Sequence, residues 1–419
     1  MGLFGKSVKL LASVGLVICI ALWSAILATA NTTADSYFVT KGQSLEVSRY
    51  VKAVPQEKCL PSSAGDGRWV LNELKLFGVF PIKTVAVSAT SEKCVVPGGI
   101  PFGIKMISDG VMVTAVSAVN CKGKLESPAR DAGIKSGDVI VSINEKVVRS
   151  NADVTAAVNS TQGASLRLTL RHQNESTEHI EIKPVLDPVD NSYKLGIWVR
   201  DSSAGIGTVT FYDPQNGIFG GLGHAVCDSD TGKPLSLLEG EVVAAEIDGV
   251  TRGKNGAPGQ LNGHFAPFAQ AGNILKNDNT GVYGSLSHVK VMSRAIPVAF
   301  KQDIKTGKAT ILTTISGTQP EEFEIEIERI CAGVSRLTKN MVVHITDKRL
   351  LNETGGIVQG MSGSPILQDG KLIGAVSHVF VNDSTRGYAI FAENMLESAQ
   401  SIKNNVGTGL PDGSQKKAS

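Results

Sequence analysis

The chain has 419 residues, 42% of them hydrophobic and 5% aromatic, with 45 glycines and a formal charge of +2. That length calls for more than one domain at roughly 100–200 residues each, and the Val, Ile, Thr and Gly content points to a globular chain rich in strands and turns. No long basic block is present, which excludes nucleic acid as a partner class.

At the N-terminus, Lys6 and Lys9 precede an uncharged apolar run from Leu10 to Ala30. At ~1.5 Å per residue such a run crosses a hydrocarbon core of ~30 Å. Residues 1–30 are therefore expected to be a membrane anchor or an export signal. The lysines stay on the side of synthesis and everything after Ala30 is exported. Ala28-Thr29-Ala30 also reads as a small-residue cleavage site, so both readings stand. Five cysteines follow (Cys59, Cys94, Cys121, Cys227, Cys331), an odd number with no CxxC spacing. That pattern argues against a disulfide framework or a zinc site and predicts plain buried thiols. Cys59 and Cys94 are the pair to test first, and no metal or cofactor is expected.

Residues 31–96 read as a polar spacer followed by a β-rich region, with strand-like patterns at Leu74 to Phe80 and Lys83 to Ser88. Between 97 and 185 the pattern is more specific. Ala132-Gly133-Ile134-Lys135-Ser136-Gly137-Asp138 is a glycine-marked turn, and an alternating apolar strand runs on to Asn144. Asn151 then caps a predicted helix from Ala152 to Asn159, with Val154, Ala157 and Val158 on one face. These residues resemble a PDZ domain of the circularly arranged bacterial kind. By that resemblance Pro101-Phe102-Gly103-Ile104 is the loop and strand that hold a peptide terminus, with Phe102, Gly103 and Ile104 as peptide-binding residues.

Proline and charge at Leu186 to Asn191 mark a boundary, and residues 190–401 alternate strand-like runs with Gly, Asn and Asp turns, as in a barrel or sandwich. The tail, residues 402–419, is Gly-, Lys- and Ser-rich and is expected to be flexible.

The chemistry centres on Gly360-Met361-Ser362-Gly363-Ser364-Pro365, followed by Leu372-Ile373-Gly374-Ala375-Val376-Ser377-His378. A serine among glycines can project its hydroxyl from a tight turn. The amides of Gly360 and Ser362 can converge on one oxygen as an oxyanion hole. The stretch resembles the nucleophile segment of trypsin-like serine proteases. Such a serine needs a base, and of the seven histidines His224, in Gly220-Gly221-Leu222-Gly223-His224-Ala225, has the crowd of small residues found around the base of those enzymes. His378 is the rival, better suited to lining a substrate pocket; Ser377, His378 and Val379 are the expected substrate-binding residues. Asp347, ending the apolar strand from Met341, is the expected orienting acid, although it stands far from His224 and close to Ser362.

Arg200-Asp201-Ser202-Ser203-Ala204-Gly205-Ile206-Gly207-Thr208, Leu222-Gly223-His224, Ile345-Thr346-Asp347 and Gly355 to Pro365 narrow the resemblance further. With the apolar anchor and the PDZ-like segment, they resemble the stage IV sporulation protein B family (SpoIVB-type, S55) of PDZ-containing serine peptidases from spore-forming Firmicutes. The resemblance implies a mainly β chain, an α+β PDZ domain followed by a trypsin-like β-barrel protease domain, with a triad at His224, Asp347 and Ser362. It also implies export from the forespore into the space between the two membranes. There such a peptidase cleaves a membrane-bound regulator of an intramembrane metalloprotease, and itself near the anchor, so that a sigma-factor precursor is processed. Envelope quality control by a PDZ-bearing protease and a non-catalytic PDZ adaptor are the alternatives.

Overall fold

The computed structural model describes residues 2–60, 69–121, 123–254, 256–287, 294–331 and 338–406. The apolar N-terminus forms one helix, α1 (Gly2–Thr32), of which Leu11–Thr32 is long and apolar enough to cross a membrane, a property that export signals share. Leu22 and Ile26 pack against a sheet built from β1 (Ser36–Thr40), β2 (Glu46–Ser48), β3 (Val51–Leu60), β4 (Trp69–Leu76) and β5 (Phe80–Thr90), in the order β1-β5-β4-β3-β2. The expected strand from Leu74 to Phe80 is instead a hairpin turn. Phe77 and Gly78 take positive φ there (53° and 75°), so the apolar run ends one strand and begins the next.

The next strands are β6 (Cys94–Pro97) and β7 (Pro101–Val116). A mixed unit follows: β8 (Val119–Cys121), β9 (Lys124–Glu126), α2 (Pro128–Asp131), β10 (Val139–Ile143), β11 (Lys146–Val147), α3 (Asn151–Ser160), β12 (Leu166–Arg171), β13 (Thr177–Ile182), β14 (Val185–Asp187) and β15 (Ser192–Lys194). Its core gathers Ile140, Ile143, Leu166, Leu168 and Leu170 with Val154 and Val158 of α3, all buried. The cap of α3 is Ser150, one residue before the expected Asn151. Its hydroxyl accepts the Asp153 N–H at 3.1 Å, and the Asp153 carboxylate accepts the Ser150 N–H at 3.0 Å, a reciprocal capping box.

The chain returns through β16 (Ile197–Asp213), then β17 (Ile218–Gly221), β18 (Leu237–Thr251), β19 (Gln260–Asp278), β20 (Gly281–Leu286) and β21 (Ile296–Pro297). Among the described residues, β7, β18, β19, β20, β17 and β16 pair in a ring, and β16 on β7 closes it into a first barrel. A second closed barrel follows from β22 (Gly307–Thr313), β23 (Glu321–Ile330), β24 (Met341–Ile345), β25 (Pro365–Gln368), β26 (Lys371–Phe380) and β27 (Asp383–Phe391), with α4 (Lys348–Thr354) between β24 and β25. Its core holds Ile311, Phe323, Ile327, Val343 and Phe391. Helix α5 (Ala392–Val406) closes the chain, so the expected flexible tail begins too early; residues 407–419 lie outside the described residues.

The domain order expected from sequence needs a correction. The barrel does not begin near residue 190. The first half of β7 already pairs with β18 (Phe102 opposite Ala244, Ile104 opposite Val242), while its second half carries β10 at Val111 and Met112. The PDZ-like unit is an insertion between two strands of the first barrel, entered along β7 and left along β16. The cysteines also differ from expectation: Cys94 and Cys227 are exposed thiols and Cys121 and Cys331 half-buried, while the Cys59 side chain lies outside the described residues.

Candidate active site

Helix α4 stops at Gly355 in the left-handed region, and the chain then runs through buried Ile357 and Val358 into the serine turn. Gly360 and Gly363 flank Ser362 at φ of 97° and 95°, values that only glycine adopts freely. At Gly363 the need is also steric, since a Cβ would lie 2.1 Å from the Thr208 carbonyl oxygen and 2.5 Å from the Leu222 nitrogen. The absent side chain lets the strand leading to His224 pack directly on the nucleophile turn. Within that turn the Gly363 N–H donates to Val376 (2.7 Å) and the Ser364 N–H to Met361 (2.9 Å). The N–H groups of Gly360 and Ser362 have no acceptor among the described residues. Two unsatisfied donors two residues apart, one of them the serine's own, are the equipment for holding an oxyanion.

His224 enters from the first barrel. After β17, Leu222 and Gly223 both take left-handed backbone (φ 66° and 69°). For leucine that conformation costs about 1–3 kcal/mol and persists only where the surroundings impose it. Leu222 is buried, and a Cβ on Gly223 would stand 2.9 Å from Ile390 and 3.6 Å from the Cβ of Ser377. The corner is therefore wedged into the second barrel beside Ser377. The His224 ring lies 5.0 Å, centre to centre, from that of His378. Its Nδ1 is 2.8 Å from the Ala225 carbonyl. A carbonyl only accepts, so Nδ1 carries the proton and Nε2 is left free to take one. Burial lowers the His224 pKa below the ordinary histidine value, and burial, with His224 and Lys339 nearby, pushes His378 down to about 4. Both rings are neutral at pH 7.

The Ser362 hydroxyl donates to the Ser377 carbonyl at 3.0 Å. Past Ala375, β26 keeps β27 on one side (His378 opposite Tyr388, Val379 opposite Gly387) and, among the described residues, pairs with no strand on the other. Ser377 to Val379 thus present an edge to which an extended chain can add.

Among the described residues no hydrogen bond or ion pair joins Asp347 to His224. Asp347 caps α4, its carboxylate accepting the Leu350 N–H at 3.0 Å and its own N–H donating to Glu324. Met341 pairs with Ala389, which pairs with Val376 beside Ser362, and Asp347 lies six residues (347 − 341 = 6) further along the chain. Among the described residues no carboxylate contacts the His224 ring; the group orienting it is the backbone of Ala225. No side-chain pattern in a sequence signals a carbonyl in that role.

The peptide-binding residues expected at Phe102, Gly103 and Ile104 are also misplaced. Phe102 and Ile104 are buried in the first-barrel core, the Phe102 ring 5.6 Å from that of Phe219, and a Cβ on Gly103 would overlap Val243 and Phe265. The edge beside α3 belongs to the returning chain, Leu195-Gly196-Ile197 and the start of β16. There Ile197 to Arg200 pair with β7 and, among the described residues, with no strand on the other side. A cleft of about 480 Å³ separates that edge from Val154, Thr155 and Val158 of α3. Leu195-Gly196-Ile197 has the same apolar-Gly-apolar form as Phe102-Gly103-Ile104, so the signal was in the sequence twice.

Residues 191–396 match the profile of the family described as SpoIVB peptidase S55, and residues 122–172 that of a PDZ domain. The chain is 44% identical to serine protease HTRA1 of Xenopus tropicalis over 50 residues, which is 12% of this chain and 11% of that protein. It therefore spans about a tenth of the length of that relative. Among solved structures, the active form of the Rv3671c protease from M. tuberculosis aligns with 50% of this chain and 78% of its own, at 15% identity and a TM-score of 0.30. The PDZ domain of an SdrC-like protein from Listeria monocytogenes aligns with 22% of this chain and 87% of its own, at 24% identity and a TM-score of 0.18.

Proposed function

We propose that this PDZ-bearing serine peptidase, whose catalytic half is of the SpoIVB S55 type, is an exported signalling endopeptidase that makes defined cuts in a membrane-bound regulator and in itself. The observation that carries the reading is the packing of the Leu222-Gly223-His224 corner onto a serine turn whose Gly360 and Ser362 amides are unpaired among the described residues, beside the strand edge at Ser377 to Val379.

In the proposed mechanism a substrate strand adds to β26 at Ser377 to Val379, and its N–H takes the Ser377 carbonyl. The Ser362 hydroxyl, displaced from that acceptor, turns to Nε2 of His224. His224 removes its proton as Oγ attacks the scissile carbonyl, and the N–H groups of Gly360 and Ser362 hold the oxyanion. The Ala225 carbonyl steadies the imidazolium, which then protonates the leaving amine. Water, deprotonated by His224, attacks the acyl-enzyme and frees Ser362. The cleft between α3 and the start of β16 takes a peptide terminus of the target or of the enzyme itself, and α1 supplies the membrane anchor or export signal. Placement between forespore and mother cell, release by self-cleavage and the link to sigma-factor processing follow from likeness to the family.

Labelling with a fluorophosphonate tests the site: wild type labels, while Ser362→Ala and His224→Ala lose at least about 10³-fold in rate. Unchanged labelling of either variant refutes the assignment. A base is competent above its pKa, and burial holds that of His224 below 6.5, so the labelling rate reaches half its plateau below pH 6.5. A single cut in one membrane protein supports signalling, whereas broad digestion of unfolded casein places the enzyme in envelope quality control.

A further inference from the structure

The stretch Gly205-Ile206-Gly207-Thr208-Val209-Thr210 of β16 carries no acid, base or nucleophile, and the mechanism above does not use it. Side chains alternate along a strand, so Thr208 and Thr210 share one face. Both are buried, and a buried hydroxyl needs a partner. Each finds one on the nucleophile turn of the other barrel. Thr208 Oγ1 donates to the Gly360 carbonyl at 2.8 Å, the Thr208 N–H donates to the Ser362 carbonyl at 3.1 Å, and Thr210 Oγ1 donates to the Gly363 carbonyl at 2.7 Å. The Met361 carbonyl is held within the turn by Ser364, and that of Gln359 by the Leu261 N–H at 2.8 Å.

These bonds matter because of what the turn is made of. Glycines at 360 and 363 have the widest choice of backbone conformations, so little in the local sequence prevents the peptide planes around Ser362 from rotating. A peptide unit is rigid, so fixing a carbonyl fixes the N–H across the same bond. The planes that carry the Gly360 and Ser362 amides are held through Gln359 and Met361. The planes that follow them, 360–361 and 362–363, are held at their N–H ends by the carbonyls of Val358 and Val376 and at their carbonyl ends by Thr208. In both cases the bond at the carbonyl end comes from the first barrel.

We propose that Thr208, seconded by Thr210, is a positioning residue that holds the Gly360 and Ser362 amides aimed at a common oxyanion. The proposal rests on Ser362 being the nucleophile. It predicts an effect on the chemical step with little effect on encounter with the probe, because neither threonine touches the substrate edge at Ser377 to Val379.

The test uses the full chain and an alkyl fluorophosphonate, with the maximal inactivation rate and the half-saturating concentration separated by titrating the probe. Thr208→Val removes the hydroxyl donor to the Gly360 carbonyl at nearly constant shape and leaves the main-chain bond to Ser362 in place. It should lower the maximal rate about 10- to 100-fold, short of or equal to removing one oxyanion donor, with half-saturation within about twofold. Thr208→Ser, which keeps the hydroxyl, should stay within about threefold of wild type, and Thr210→Val should fall between. A merely structural role would reduce the fraction of molecules that label and leave the rate of the rest unchanged. A folded Thr208→Val with a wild-type rate overturns the proposal, as does a Thr208→Ser that is as slow as Thr208→Val. If Thr208→Val does not fold, Thr208→Ser against Thr208→Cys makes the same comparison through a strong and a weak donor, and equal rates overturn it. Undiminished labelling of Ser362→Ala sinks the nucleophile assignment itself, whereas a dead Ser362→Ala beside a wild-type Thr208→Val sinks only the clamp.

Discussion

The two barrels are built from the same number of paired strands and differ in how the chain supplies them. The second takes its strands from the stretch Gly307 to Phe391, in which α4 is the one helix among the described residues. The first draws β7 from before the PDZ-like insertion and β16 from after it, and cannot close without both. In the proposed mechanism catalysis is divided unequally between them. The proposed nucleophile, amides and substrate edge belong to the second barrel, while the first lends His224 and the threonines bonded to the serine turn. A barrel of local hairpins can be read from alternation and turns; one closed by strands from either side of an inserted domain cannot, because its defining pairing lies far apart in sequence.

The sharpest way to break this comparison is to remove the insertion at two different sets of boundaries. Excising residues 114–198 and joining the paired positions Val113 and Val199 by an Asn-Gly turn leaves β7 and β16 as a hairpin. The product should fold and still label with fluorophosphonate. Deleting residues 97–185, the domain limits that the sequence suggests, takes a strand out of the barrel and should give no folded enzyme. If the second deletion labels and the first does not, β7 is not part of the barrel.

A smaller effect separates a barrel-core role for Phe102 from a peptide-binding one. Truncating a phenylalanine this well buried costs about 3–5 kcal/mol, so Phe102→Ala should shift the urea midpoint strongly. A residue lining an open groove would change stability by less than about 1 kcal/mol. The smallest expected change belongs to the second barrel. Asp347→Ala removes the cap of α4 and should cost about 1 kcal/mol, read from the same denaturation curves. No loss of stability would mean that the cap seen here contributes nothing in solution.

The serine turn and the histidine corner of the candidate site were legible as motifs because each is local. Ser362 with its flanking glycines and His224 after Gly220 to Gly223 are short motifs whose backbone demands are written in the residues themselves. Asp347 misled because the end of a strand is equally a good place for a helix cap, and the helix that begins at Lys348 claims the carboxylate. Phe102-Gly103-Ile104 misled because an apolar-Gly-apolar triplet ahead of an alternating strand suits either a peptide-binding loop or a barrel strand packed against Phe265. The same triplet form at Leu195 was the one left at an open edge.

Sequence alone determined the classes of element: an apolar N-terminal helix, a PDZ-like unit, a β-rich remainder and a serine turn with a histidine corner, since periodicity, glycine placement and turn chemistry act over a few residues. The tertiary structure decided which strands meet. Pairing of β16 with β7 and of Thr208 with Gly360 depends on contacts that only the closed barrels bring within hydrogen-bonding distance.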